Sequence, residues 1–252
     1  MSKKVTRSGT ICEYPQQCGS AERGAVRLLA KGRKRMDIKA VIFDMDGLLI
    51  DTEKHLVESW TQAAREFGYP FTREHGLMLR SLTKQYAAPL LKEIFDDSFD
   101  YFTVRERRKQ IMEEKIKKAG IERKLGAKEL LAYLHKRGIK TAVATATDLE
   151  RAERYLKEVD LWGEFDKVVC VSMVKIGKPE PDVYIYACEQ IGEDPKDCMA
   201  LEDSPNGIRS ACAAGLKPVM VPDLTEPDEE ISKLLYAKAV TLADVIDILE
   251  KP

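Results

Sequence analysis

Two carboxylates two residues apart, Asp44 and Asp46, close the apolar run Ala40-Val41-Ile42-Phe43. In an extended chain, residues i and i+2 project to the same side, so such a pair can divide the labour of a phosphoryl transfer. One carboxylate attacks phosphorus; the other protonates the leaving oxygen and then activates water. Two anions facing a phosphate dianion would repel it, so the arrangement calls for a cation. Asp203 supplies a third carboxylate, and an all-oxygen set suits Mg²⁺, which usually takes only one or two protein carboxylates. Lys178 offers an ammonium for a phosphoryl oxygen. Thr145 offers a hydroxyl, next to backbone N–H groups that open a following helix and favour an anion.

Taken singly, each of these has a plainer explanation. Asp46-Gly47 is a common hairpin turn, Lys178 with its two prolines is a surface turn, and Glu202-Asp203 is an acidic pair at a helix start. Their positions along the chain set those explanations aside. From Leu125 onward strand and helix patterns alternate: helix 127–137, strand 139–145, helix 148–160, strand 166–171, helix 181–191, strand 198–202, helix 205–214 and strand 217–221, then a weaker last unit. That rhythm predicts an α/β fold with a parallel sheet covered by helices on both faces, a three-layer α/β/α sandwich. Ligands of such sheets bind at the carboxyl ends of the strands. Asp44-Met45-Asp46, Thr145-Ala146-Thr147, Lys178 and Glu202-Asp203 all follow strand ends. Ser204-Pro205 reads as an N-cap and first helical residue that would hold Asp203 on a rigid base.

Between about 70 and 122 no strand pattern appears, which predicts an inserted all-helical cap over 52–122 interrupting a core made of 37–51 and 123–252. It opens with an amphipathic helix whose apolar face is Leu56, Val57, Trp60, Ala63, Ala64 and Phe67, ended by Gly68. The charged stretch from Arg105 through Lys109 to Lys118 is expected to be a solvated helix face, and no aromatic interleaves it as nucleic-acid stacking would require. His55, His75 and His135 share no metal-ligand spacing.

The chain has 252 residues, 44% hydrophobic and 33% charged, with 41 Lys and Arg against 42 Asp and Glu. This excludes a disordered or collagen-like chain. No apolar stretch nears the ~18 residues of a membrane-spanning helix and no signal segment stands at the start, so a cytoplasmic protein is expected, with no membrane or nucleic-acid partner. Residues 1–36 hold nine Lys and Arg against two Glu. They read as a basic, disordered extension ahead of a natural start at Met36, with a transit peptide or a basic tail for anionic surfaces as alternatives. Six cysteines lack zinc-site spacing and are expected to be reduced, with Cys170 and Cys198 packed in the core.

The motifs DMDGLLIDTE at 44–53, VATAT at 143–147, GKPEPDVY at 177–184 and LEDSPNGIRSACAAG at 201–215 together resemble the haloacid dehalogenase superfamily, in the branch of β-phosphoglucomutase and small sugar-phosphate phosphatases. The resemblance covers roughly residues 37–250. It implies a mobile helical cap on a Rossmann-like core, Asp44 as nucleophile and Asp46 as general acid and base. It also implies Thr145 and Lys178 on the phosphoryl group, and Mg²⁺ held by Asp44, the Asp46 carbonyl and Asp203, with Glu202 beside them. Ala146 stands where relatives often carry a polar residue and would contribute its backbone N–H to substrate. Where a cap histidine is common in this branch, Leu56 stands instead and His55 is one residue, about 100° of helix, away. Arg80 and Lys84 are expected to reach the distal groups of the substrate. The activity implied is a Mg²⁺-dependent phosphatase acting on a small phosphorylated substrate as a monomer. A mutase using the same phospho-aspartate is the close alternative. A noncatalytic sugar-phosphate sensor is the alternative of another class, disfavoured because every catalytic carboxylate is present.

Overall fold

The computed structural model describes residues 37–251, so the basic leader lies outside the described residues. Six strands form one parallel sheet in the order β3-β2-β1-β4-β5-β6. They are β1 (Ala40–Phe43), β2 (Lys140–Thr145), β3 (Lys167–Cys170), β4 (Cys198–Glu202), β5 (Lys217–Met220) and β6 (Ala237–Lys238). The apolar runs of β1 and β4 are continuous because both faces of the sheet are covered, and the two-residue period decides which side chain goes where. Val41, Phe43, Met199 and Leu201 point into one apolar layer. Ala40, Ile42, Cys198 and Ala200 point into the other.

Helices α5 (Ala127–Lys136), α6 (Leu149–Glu158) and α10 (Val245–Glu250) close the first layer, while α7 (Asp182–Ile191) and α8 (Pro205–Ala213) close the second. Helix α9 (Glu229–Leu234) packs Ile231 against Ile208 and Met220 at the edge. The observed elements match the sequence-based spans to within two residues at their ends, where helices fray.

Between β1 and β2 the chain departs into α1 (Glu53–Glu66), α2 (Arg73–Met78), α3 (Lys84–Phe95) and α4 (Tyr101–Ala119). These build an apolar cluster of their own around Trp60, Ala63, Phe71, Leu91, Phe99 and Val104. Its centre is aromatic: Trp60 stacks on Phe71 at 6.4 Å and Phe71 on Phe95 at 5.7 Å between ring centroids. Phe67 is a correction to the predicted apolar face. It lies one residue past the end of α1 and is 47% exposed, because the chain turns at Gly68 before it can pack. A second correction falls on the charged stretch of α4. Its buried residues are Tyr101, Val104, Arg108, Ile111, Met112 and Ile116, a helical stripe that includes one arginine. No helix among the described residues is long and apolar enough to cross a membrane. Cys170, Cys188, Cys198 and Cys212 are buried and form no disulfide among the described residues.

Phe71 is fully buried among those rings while Phe102, on the neighbouring helix, is 63% exposed. Phe71→Ala is expected to lower unfolding free energy by about 3–5 kcal/mol in urea titration, and Phe102→Ala to stay within about 0.5 kcal/mol of the parent.

Candidate active site

Strand order reverses between β1 and β4, and the residues that follow these two strands face each other there. Such a reversal opens a crevice at the strand carboxyl ends. Phe43 is in register with Leu201, and the Asp44 N–H donates to the Leu201 carbonyl at 3.0 Å. Asp44 and Glu202 therefore stand side by side on adjacent strands. Lys178 enters between them from the loop ahead of α7. Its ammonium donates to Asp44 Oδ1 and, at 2.6 Å, to Glu202 Oε1. Glu202 is further held by the Tyr184 hydroxyl at 2.6 Å and by the Ser204 hydroxyl at 3.2 Å. Ser204 also caps α8 by accepting from the Gly207 N–H at 3.1 Å, as its place before Pro205 suggested. Glycine is required at 207 because a Cβ there would strike the Glu202 carboxylate.

Asp203 is engaged by Arg80, which comes from the turn between α2 and α3. The Arg80 guanidinium donates to Asp203 Oδ2 and, at 2.9 Å, to the Asp203 carbonyl; it lies 3.5 Å from Glu53 Oε2 and donates to Thr225 at 2.8 Å. This corrects the expectation that Arg80 meets the far end of a substrate: the side chain is 1% exposed and committed to the acid cluster. Glu53, at the first position of α1, is drawn into the same cluster.

Four buried carboxylates, Asp44, Glu53, Glu202 and Asp203, thus face two buried cations, Lys178 and Arg80. The imbalance shows in their proton affinities. Burial raises the Asp44 carboxyl well above its usual range, against the pull of Lys178 and with a further push from Glu202 and Asp203. Burial likewise raises Asp203 to about 7, opposed by Arg80 and reinforced by Glu202. Desolvation alone would lower the Lys178 ammonium, yet Asp44 and Glu202 beside it raise it above the normal lysine range. Asp44 Oδ2 and Asp203 Oδ1 are buried without any hydrogen-bond partner. Oxygens of Asp44, Glu202 and Asp203 lie within 4.8 Å of one another. Unpaired oxygen donors, a surplus of two negative charges and an all-carboxylate set are what a hard divalent cation fits.

Asp46 faces the same space in a different way. Its Oδ1 accepts from the Thr52 hydroxyl at 2.6 Å and its Oδ2 from the Thr147 hydroxyl at 2.8 Å, so two hydroxyls fix its orientation. Thr145 Oγ1 accepts from the Thr147 N–H at 3.0 Å, which leaves the hydroxyl proton free to donate. Asp44, Asp46, Thr145, Ala146 and Lys84 all line one cavity of about 410 Å³ between the sheet and the four inserted helices. Lys178, Glu202 and Asp203 form the buried network joined to Asp44. Leu56, in the place where a cap histidine was considered, lines the same cavity.

Sequence reasoning did not give roles to Thr52, Thr147, Glu53, Tyr184 or Arg108. Thr147 was within reach, since it closes the VATAT motif, and Arg108 was within reach of the helical period of α4. Glu53 and Tyr184 carry no local signal: an acidic residue in the first turn of α1 and an aromatic on α7 are both ordinary there.

Comparison with known proteins agrees with this geometry. The family model described as haloacid dehalogenase-like hydrolase matches residues 38–215. A phosphorylated carbohydrates phosphatase of Thermotoga maritima is 32% identical over 216 residues, covering 84% of this chain and 97% of its own. The β-phosphoglucomutase of Bacillus subtilis is 29% identical over 71% of this chain and 81% of its own. Among solved structures, CbbY from Rhodobacter sphaeroides in complex with phosphate superposes with a TM-score of 0.68 at 25% identity, covering 82% of this chain and 96% of its own.

Removing one partner of a buried, hydrogen-bonded ion pair strands the other. Glu202→Ala is therefore expected to cost about 3–5 kcal/mol of stability, read by chemical denaturation. Glu202→Gln should cost clearly less, because its amide oxygen still accepts from Lys178 and Tyr184.

Proposed function

The chain belongs to the haloacid dehalogenase-like hydrolases, and we propose that within this family it is a Mg²⁺-dependent phosphatase of a small phosphorylated metabolite, a sugar phosphate. The observation that carries this reading is the state of Asp44: buried, facing the cavity, one oxygen held by Lys178 and the other unpaired. A carboxylate fixed in that manner is aimed rather than neutralised. In the proposed reaction Asp44 attacks the phosphorus and the bond from phosphorus to the ester oxygen breaks. Asp46, clamped by Thr52 and Thr147, gives its proton to the departing oxygen. The dephosphorylated product leaves an aspartyl phosphate on Asp44. Asp46 then takes a proton from water as that water attacks phosphorus, which breaks the bond from Asp44 to phosphorus, releases inorganic phosphate, and restores the Asp44 carboxylate and the protonated Asp46.

Lys178 opposes the burial-driven rise of the Asp44 carboxyl, favouring its ionised form, and carries positive charge to the phosphoryl oxygens. Thr145 and the Ala146 backbone donate to the same group. Asp44, Asp203 and the Asp46 carbonyl would hold Mg²⁺, which when bound supplies charge neutralisation between the acids and the phosphoryl group. Glu202, with its oxygens already committed to Lys178, Tyr184 and Ser204, serves as a positioning residue beside that site. The helices over 52–122 act as the cap that shapes the cavity and screens it from water.

Asp44→Asn is expected to fold, by far-UV circular dichroism, and to lose at least about a thousandfold in phosphate release, as loss of a covalent nucleophile does. Mg²⁺ should raise the melting temperature of the parent chain and raise that of Asp203→Asn less. Phosphate release from a panel of sugar phosphates supports hydrolysis. Conversion of β-glucose 1-phosphate to glucose 6-phosphate without phosphate release would replace it with the mutase.

A further inference from the structure

The cap side of the cavity has a charge the proposed chemistry does not use. Arg108, on α4, is 7% exposed, lines the cavity, and has no carboxylate within ion-pair distance among the described residues. Its Nε has no hydrogen-bond partner. Its guanidinium lies 5.1 Å from the centre of the Trp60 ring. Two further guanidinium groups line the same space, Arg105 one turn earlier and Arg151 on α6. Each has an acidic partner outside: Arg105 pairs with Glu106 at 3.3 Å and Arg151 with Asp148 at 3.1 Å. Arg108 has none.

A stacking contact with Trp60 does not account for this placement. Cation–π contact is worth about 0.5–2 kcal/mol, whereas burying an ion costs several kcal/mol unless a counter-charge answers it. Burial, together with repulsion from Arg151 and Arg105, lowers the Arg108 group to about 10. It therefore remains a full cation at neutral pH. A guanidinium placed over a ring, with N–H groups turned to a cavity, presents the planar fork that phosphate and carboxylate groups accept in bidentate fashion.

Resting on the phosphatase reading for the catalytic end, we propose that Arg108, flanked by Arg105 and Arg151, binds a second anionic group of the substrate. The substrate class is then a small sugar-derived phosphate ester carrying a further phosphate or carboxylate, rather than a neutral sugar monophosphate. Arg108 sets specificity from the cap while Asp44 and Asp46 act on the ester at the other end.

The test uses the full chain with Mg²⁺ and four probes: para-nitrophenyl phosphate as a generic ester, glucose 6-phosphate, 6-phosphogluconate and fructose 1,6-bisphosphate. The last two separate carboxylate from phosphate as the second anion. At least one is expected to exceed glucose 6-phosphate in kcat/KM by about tenfold to a hundredfold, the range for hydrogen bonds to a charged group. Arg108→Met should shrink that advantage to about threefold or less, and Arg108→Lys should retain part of it. Glucose 6-phosphate turned over as well as both two-anion probes would overturn the proposal without any variant, as would an advantage that survives Arg108→Met. Should none of the four esters release phosphate, the phosphatase reading fails by itself. Calorimetry of the three sugar probes with Asp44→Asn still decides the subsite: tighter binding of a two-anion probe supports it, and equal binding overturns it.

Discussion

Lys178 is the ammonium that two crowded acids share, and the catalytic end of the molecule is arranged to keep it there. The parallel register of β1 and β4 brings Asp44 and Glu202 side by side. At an effective dielectric constant near 20, two unit charges 4 Å apart interact by about 4 kcal/mol, so two carboxylates in such proximity would not both stay ionised unaided. Lys178 bridges them, Tyr184 and Ser204 take up the remaining capacity of Glu202, and Asp44 is left with one oxygen to spare. The attraction thus opposes the burial that raises the Asp44 carboxyl and leaves Oδ2, the oxygen proposed to attack, unoccupied. Glu202 anchors Lys178, and Lys178 in turn aims Asp44.

Met112 and Ile116 of α4 join the apolar layer of the sheet, but elsewhere the contacts between the inserted helices and the core are of another kind. Within the insert, cohesion comes from the aromatic cluster around Trp60 and Phe71. Across the boundary, near the α2–α3 turn, the links are polar. Asn206 donates to the Arg80 carbonyl at 2.9 Å, the Tyr86 hydroxyl to Glu180 at 2.8 Å, and the Thr83 N–H to the Lys178 carbonyl at 3.3 Å. Exposed to water on separation, each such bond is replaced at a net cost near 1 kcal/mol, far less than breaking the apolar cluster. The Arg80 contact with Asp203 is the exception, being fully buried. It couples the position of the insert to the charge state of the acid cluster, because a second cation beside Asp203 would compete with the guanidinium for the same carboxylate.

The sheet and the acids gathered at its strand ends were legible in the sequence because their signals are local. A run of four apolar residues buried on both sides is readable without knowing the partner strand, and an acidic residue after such a run is readable as a strand-end residue. Asp44, Asp46 and Asp203 were read on that basis, Thr145 as a hydroxyl at a strand end, and Lys178 as an ammonium in the loop that follows β3. The role of Arg80, which was expected at the far end of a substrate, and the burial of Arg108 were not legible, for opposite reasons. The surroundings of Arg80 are made by residues more than a hundred positions away, at Asp203 and Thr225, which no local pattern reports. Arg108 does have a local signal, its place on the stripe of Val104, Ile111 and Met112, but a chain of charges on either side hides it. In a run such as Arg105-Glu106-Arg107-Arg108-Lys109 residue type points outward, and only the helical period separates the one arginine that turns in.

A cavity with acids at its sheet side and guanidinium groups at its cap side also has a consequence for orientation. A phosphate group entering alone meets repulsion from Asp44 and Asp46 and attraction from Arg108, so a neutral sugar carrying a single phosphate is free to dock backwards, with its ester on the arginine and its hydroxyls on the acids. That pose is unproductive. Charge neutralisation at the acids reduces the penalty for the forward pose but does not remove the attraction of the backward one. A second phosphate on the substrate makes the backward pose productive, since whichever phosphate reaches Arg108 the other is directed to Asp44. A bisphosphate is then productive in either direction if both esters fit, whereas a phosphorylated acid is productive in one, because its carboxylate at Asp44 leads nowhere. The charge layout thus separates the two kinds of substrate by regiochemistry as well as by affinity.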